Sequence, residues 1–132
     1  MPLTERCRAS LPRAGGATLA GAGLATILVT HAAVITKRLP YTSVTGGRVA
    51  DPHLARQIAV GSVIAQLPVV VLVIRAAQGA ALQREQQALA VLAAGAALSV
   101  PLQLVGTTFE RLVMAPAAAA LALGAARLTA SR

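Results

Sequence analysis

Seven polar side chains stand out in a chain that has few: His31, Tyr41, Arg48, Gln103, Thr107, Glu110 and Arg111. An imidazole and a carboxylate, His31 and Glu110, are groups that could move protons at neutral pH. Gly46-Gly47-Arg48 could cradle an anion through backbone amides and a guanidinium. Tyr41, Gln103, Thr107 and Arg111 would complete a face of varied polar chemistry, the default place for a site. Each residue also has a plainer role. His31 can bond a neighbouring carbonyl, Glu110 can cap a helix or pair with Arg48 or Arg111, Gly46-Gly47 can be a turn, and Tyr41 can anchor at a membrane interface.

Other chemistries are excluded. His31 and His53 lack metal-ligand spacing, and an ion between them would need Asp51 or Glu110 as well. GxxxxGK[ST], GxSxG and a GxGxxG in strand–helix context are all missing, so no catalytic residue, metal or cofactor is assigned. The single cysteine, Cys7, forms no intramolecular disulfide and no thiolate cluster. The dimensions match those of the small multidrug transporters. Those proteins, however, use an acid in helix 1 and an aromatic-lined pocket, whereas helix 1 here has no acid and the chain has one Phe and one Tyr.

The elements that must position these residues follow from composition. Apolar residues make up 56% of the 132 positions and charged residues 12%, against about 25% charged in an average soluble domain. Such a chain has too few polar residues to build a water-facing surface. Charge is also segregated: the stretches 14–36, 57–74, 86–109 and 112–126 carry none, with lengths of 23, 18, 24 and 15 residues. About 20 apolar residues cross a hydrocarbon core of roughly 30 Å, so three stretches suffice outright. The fourth borrows from flanks whose Arg111 and Arg127 snorkel to the headgroups. The expected fold is all-α: an integral membrane four-helix bundle of antiparallel up-down topology, one transmembrane domain over 1–132, with spans near 14–36, 54–77, 87–106 and 108–127 and a polar loop at 37–53.

Local signals set the boundaries. Asp51 is a plausible N-cap with Pro52 at the first helical position. Thr107 followed by Glu110 matches the capping box. Within the loop, Leu39-Pro40 disfavours helix and Gly46-Gly47 supplies a turn, so "YTSVT" and "RVA" read as the arms of a tiny hairpin. Prolines 68, 101 and 116 fall inside helices, as membrane helices tolerate. Helix 1 alternatively reads as a signal peptide cleaved to leave a mature terminus near residue 33, but its 23 uncharged residues exceed a signal core. Helix contacts are expected at small residues spaced by four: Ala17, Gly21 and Ala25; Ala90 and Ala94; Ala120 and Gly124.

An even helix number puts both termini on one side, with Arg6, Arg8, Arg13, Arg75, Arg84, Arg127 and Arg132, and leaves Lys37, Arg38, Arg48, Arg56 and Arg111 on the other. Seven basic residues against five favour cytoplasmic termini. Glu110 is then expected to tie the loop to the bundle mouth by pairing with Arg48. The net charge of +8 belongs to membrane flanks, with no basic-aromatic stripe for nucleic acid. Eleven arginines to one lysine, without Asn or Trp, suggest a GC-rich bacterial genome and its cytoplasmic membrane. The expected partners are the lipid bilayer and a membrane protein or second copy bound through small-residue faces. The expected role is non-enzymatic, accessory or assembly; the alternatives are a small transporter or channel-like protein, and a membrane-embedded enzyme using the His31/Glu110 face.

Overall fold

Four apolar stretches become four helices, and local devices set where several of them start and stop. The computed structural model describes residues 3–130, with side chains from Arg13 onward. The helices are α1 (Leu3–Ile35), α2 (Pro52–Ala77), α3 (Gln83–Leu104) and α4 (Ala115–Ala130), the last preceded by a π-helical turn at Glu110–Met114. Four segments, Arg13–Ile35, Pro52–Ala77, Gln83–Leu104 and Glu110–Ala130, are long and apolar enough to cross a membrane.

α2 starts where the sequence indicates: the Asp51 carboxylate accepts from the His53 amide at 2.9 Å, with Pro52 inside the first turn. α3 starts at Gln83, four residues before the expected Gln87, because Glu85 reaches back to accept from the Leu82 amide at 2.7 Å and satisfies a first-turn donor. Glu85 also pairs with Arg75 at 2.8 Å, clasping the α2–α3 turn.

α1 and α2 end alike. After α2, the Ala80 amide donates to Arg75 and the Gly79 amide to Ala76, with Gly79 at φ 73°. After α1, the Arg38 amide donates to Ala33 and the Lys37 amide to Val34, with Lys37 at φ 60°. Both are Schellman closures, whose left-handed position usually takes glycine. The closure after α1 puts a lysine there.

The expected hairpin in the loop is absent. Tyr41–Ser43 and Thr45–Gly47 are instead two successive 3₁₀ turns, the second with Thr45, Gly46 and Gly47 at φ 58°, 65° and 67°. Positive φ at Gly46 and Gly47 would suit a hairpin turn, but the expected first arm is not extended: Tyr41–Ser43 is coiled into a 3₁₀ turn and Thr45 is left-handed.

Prolines 68 and 101 sit inside unbroken helices. Pro116 has a visible effect. In a regular helix its ring would press on the carbonyl of residue 112. Here the preceding turn widens, and the Ala115 amide donates to Glu110, five residues back. Hydroxyls within α1 are satisfied locally, Thr18, Thr26 and Thr30 each donating to the carbonyl four residues earlier.

α4 lies between α1 and α3, and α1 also packs on α2, while α2 and α3 touch each other little. One core joins all four helices: Ala20, Leu24, Val73, Ala76, Leu89, Leu121, Ala125 and Leu128. The α1–α4 seam is the closest approach. A Cβ on Gly23 would collide with the Ala117 carbonyl, and one on Gly124 with the Ala20 backbone and the Gly16 carbonyl. The seam therefore runs through Gly16, Ala20 and Gly23. Of the expected Ala17, Gly21 and Ala25, Ala17 is half-buried against the core, but Gly21 has open space around it and Ala25 is exposed. Gly124 is at the contact as expected and Ala120 is half-buried, but Ala90 and Ala94 are exposed while Leu89 fills that part of the core. In an alanine-rich chain several faces show the same spacing, and bulkier neighbours decide which one turns inward.

Large apolar side chains remain uncovered on α2 and α3. Val91, Leu98 and Leu102 are 73%, 72% and 72% exposed, and Ile64, Leu67 and Val71 are also exposed.

The seam gives a direct test. Gly124→Leu, which must push α1 away, should lower stability by at least about 1–3 kcal/mol, whereas Gly21→Leu, in open space, should leave it within roughly 0.5 kcal/mol. Thermal melts of the two variants in the same detergent check this, and equal melting temperatures would place the seam elsewhere.

Candidate functional site

The loop and the α3–α4 link meet through one carboxylate. Glu110 is 8% exposed. Its Oε2 accepts from the Thr107 amide at 2.8 Å, while the Thr107 hydroxyl accepts from the Glu110 amide at 3.2 Å, forming the capping box expected from the sequence. The same carboxylate accepts from the Gly46 amide, with Oε1 at 2.8 Å and Oε2 at 3.0 Å. The Thr107 hydroxyl also donates to the Ser43 carbonyl at 2.5 Å. Two residues of the link thus hold two residues of the loop.

Backbone geometry makes this possible at both ends. The left-handed run at 45–47 presents the Gly46 amide to the carboxylate, and Thr45, a β-branched residue in that region, carries a strain of about 1–2 kcal/mol. At the other end a side chain on Gly106 would occupy the position of the Glu110 carboxylate. The anion cradle read from Gly46-Gly47-Arg48 therefore exists in part, and the anion it holds is the chain's own Glu110.

The other expected site residues are placed as follows. Arg48 is exposed and its side chain runs alongside Gly46, so the loop is tied down by a backbone amide where an Arg48–Glu110 ion pair was expected. Arg111 donates from Nε to the Gly106 carbonyl at 3.2 Å, closing the end of α3. Tyr41 donates to the Ala50 carbonyl at 3.3 Å and packs with Leu39, Ile35 and Phe109 around Val34, Val44 and Ala59. His31 is half-buried, and among the described residues no carbonyl accepts from its ring, contrary to its plainer reading. The Gln103 Oε1 is buried without a hydrogen-bond partner. Thr107, Glu110 and Arg111 thus form one linked group with the 43–46 turn, and no hydrogen bond connects His31 or Gln103 to it.

Ser43, Gly106 and Lys37 were missed from the sequence. A hydroxyl-bearing residue lending only its carbonyl, a glycine needed to leave room for a carboxylate, and a lysine at a glycine position have no signature in residue type or spacing.

Charge at this end is unbalanced. Asp51 and Glu110, the acids of the loop and link, both accept from backbone amides, so neither neutralises Lys37, Arg38, Arg48, Arg56 or Arg111 through an ion pair. Among the described residues no group of three or more His, Cys, Asp or Glu side chains could hold a metal ion. Comparison with protein families, with curated proteins and with solved structures finds no match.

Glu110→Ala should free the Gly46 amide and destabilise the loop attachment by about 1.5–3 kcal/mol, the range for hydrogen bonds to a charged group. Amide exchange across 41–48 should then accelerate by ten-fold or more, with exchange in α2 and α3 unchanged. Unaltered exchange at Gly46 would show that the carboxylate is not the tether.

Proposed function

We propose that this chain is a small integral membrane protein, a single transmembrane domain over 1–132 folded as an antiparallel up-down bundle, whose role is accessory or assembly and non-enzymatic. The observation that carries the reading is the distribution of burial. Half of the α4 span is buried inside the bundle, against 11% for α2 and 6% for α3. Two helices of high hydropathy thus present most of their surface outward, where lipid or another membrane helix would cover it.

Contacts at the two ends support the up-down path. The 43–46 turn bonds the 107–110 link at one end. At the other, Arg13, Gly79, Gln83 and Leu128 line a shared cleft. Seven basic residues on the side of the termini against five on the loop side support cytoplasmic termini, and the arginine-rich composition supports a bacterial cytoplasmic membrane. The engagement of Glu110 by two amides disfavours the enzyme alternative, because it leaves His31 without a carboxylate partner.

A transporter or channel-like role is the second reading, favoured by the buried, unpartnered Oε1 atoms of Gln66 and Gln103. Polar groups inside a membrane bundle commonly line a path.

Alkaline carbonate treatment of membranes from expressing cells should leave the chain in the pellet, and release into the supernatant would refute the membrane assignment. Purification in mild detergent should then bring a stoichiometric membrane-protein partner. A lone chain that gives substrate-dependent flux in proteoliposomes would replace the accessory role with the transporter one.

A further inference from the structure

The loop end holds a cleft of about 350 Å³ lined by Val34, Lys37, Leu39, Pro40, Tyr41, Pro52 and Arg56. Its walls are apolar and its two charges are both positive. Among the described residues no hydrogen bond or ion pair holds either the Lys37 ammonium or the Arg56 guanidinium, and the nearby acids are already engaged by amides. Lys37 is also the chain's only lysine and stands where the matching closure after α2 has Gly79. A lysine held in the left-handed region against a conformational cost needs a reason outside the helix closure itself.

Arg56 joins this cleft to a second hollow, an exposed groove along α2 lined by His53, Arg56, Gln57, Val60, Gly61 and Ile64. Gly61 has no atom within 4 Å of where a Cβ would stand, so the groove floor is open. From Arg56 to Ile64 it runs about 12 Å along the helix, at 1.5 Å per residue. Cationic cleft and apolar groove together have the form of an anionic amphiphile.

We propose that this is a binding site for an anionic phospholipid. The lipid phosphate sits between Lys37 and Arg56 beside Tyr41, and one acyl chain lies along Val60, Gly61 and Ile64. The proposal rests on the membrane reading above, since the groove must face lipid. Charge complementarity selects the headgroup: a zwitterionic lipid brings its own cation to a cleft that already has two, whereas an anionic one supplies the missing charge.

The test uses the full chain in neutral detergent, with native mass spectrometry to count bound lipid after addition of phosphatidylglycerol or phosphatidylcholine of matched chain length. The wild type should retain phosphatidylglycerol at least ten-fold better. Lys37→Gly should raise the melting temperature, by relieving the backbone, and yet lose at least ten-fold in phosphatidylglycerol retention; Arg56→Gln should lose as much. Arg38→Gln removes the same charge from the same end but lies outside the cleft, and should retain lipid within two-fold. Gly61→Leu, which fills the groove, should weaken the lipid while leaving any competition by inorganic phosphate unchanged. Equal retention of the two lipids, a loss with Arg38→Gln matching that with Lys37→Gly, or inorganic phosphate displacing lipid at equal concentration would each overturn the proposal. Because binding is read in detergent, it can fail while carbonate extraction still places the chain in the membrane, so the two readings fall separately.

Discussion

The close backbone contact between α1 and α4 is the constraint on which the other helix positions depend. Gly23 and Gly124 each face backbone atoms of the opposite helix with no room for a side chain. Helices that approach this closely gain dispersion contacts along their length, which is how small residues associate helices when lipid removes the hydrophobic drive. With α4 fixed on α1, α3 packs against α4 and α2 against α1, and all four contribute to one core. The consecutive pair α2 and α3 is held mainly through these neighbours and through the Arg75–Glu85 clasp at its turn.

Scarcity of acids shapes the loop end in the same way. With four carboxylates in 132 residues, one that served only as an ion-pair partner at the surface would contribute about 0–1 kcal/mol. Glu110 is instead shared between the cap of its own helix and the Gly46 amide 64 residues away in sequence. A charged acceptor on two backbone donors gives more stabilisation and more geometric definition than a solvated pair. It also leaves the basic residues of that end without a carboxylate partner, so the positive field there follows from how the loop is fastened.

Much of this was legible in the sequence, and the illegible parts share a cause. Helix existence followed from uncharged runs, the start of α2 from Asp51-Pro52, and the Thr107–Glu110 box from its spacing. Each depends on a single element and its own residues. The start of α3 was misjudged because "QREQQ" reads as a polar connector until Glu85 is recognised as the residue that caps Leu82. The helix contacts were misjudged because Ala17-Gly21-Ala25 and the true Gly16-Ala20-Gly23 face have nearly the same small-residue period, and only the position of Leu24 and Leu121 in three dimensions separates them. The loop was read as a hairpin because Gly46-Gly47 permits one. What departs from a hairpin is the coiling of Tyr41–Ser43 and the left-handed Thr45, and the turn so formed is bonded through Ser43 and Gly46 to Thr107 and Glu110, residues that lie far off in the chain.

The π turn at Glu110–Met114 has a consequence for how this chain can vary in length. It holds one residue more than a regular helical turn would, with the surplus placed next to Pro116. Elsewhere in a helix, removing a residue rotates everything beyond it by about 100° and turns its inner face away from its partners. Within this turn a deletion would tighten the winding and leave Ala117, Leu121 and Gly124 directed at α1, at the cost of pressing the Pro116 ring on the carbonyl four residues before it. Conversely, the wide turn is the trace that a one-residue insertion would leave in a helix whose seam could not rotate. The link between α3 and α4 is thus the point in the bundle where length and register are uncoupled.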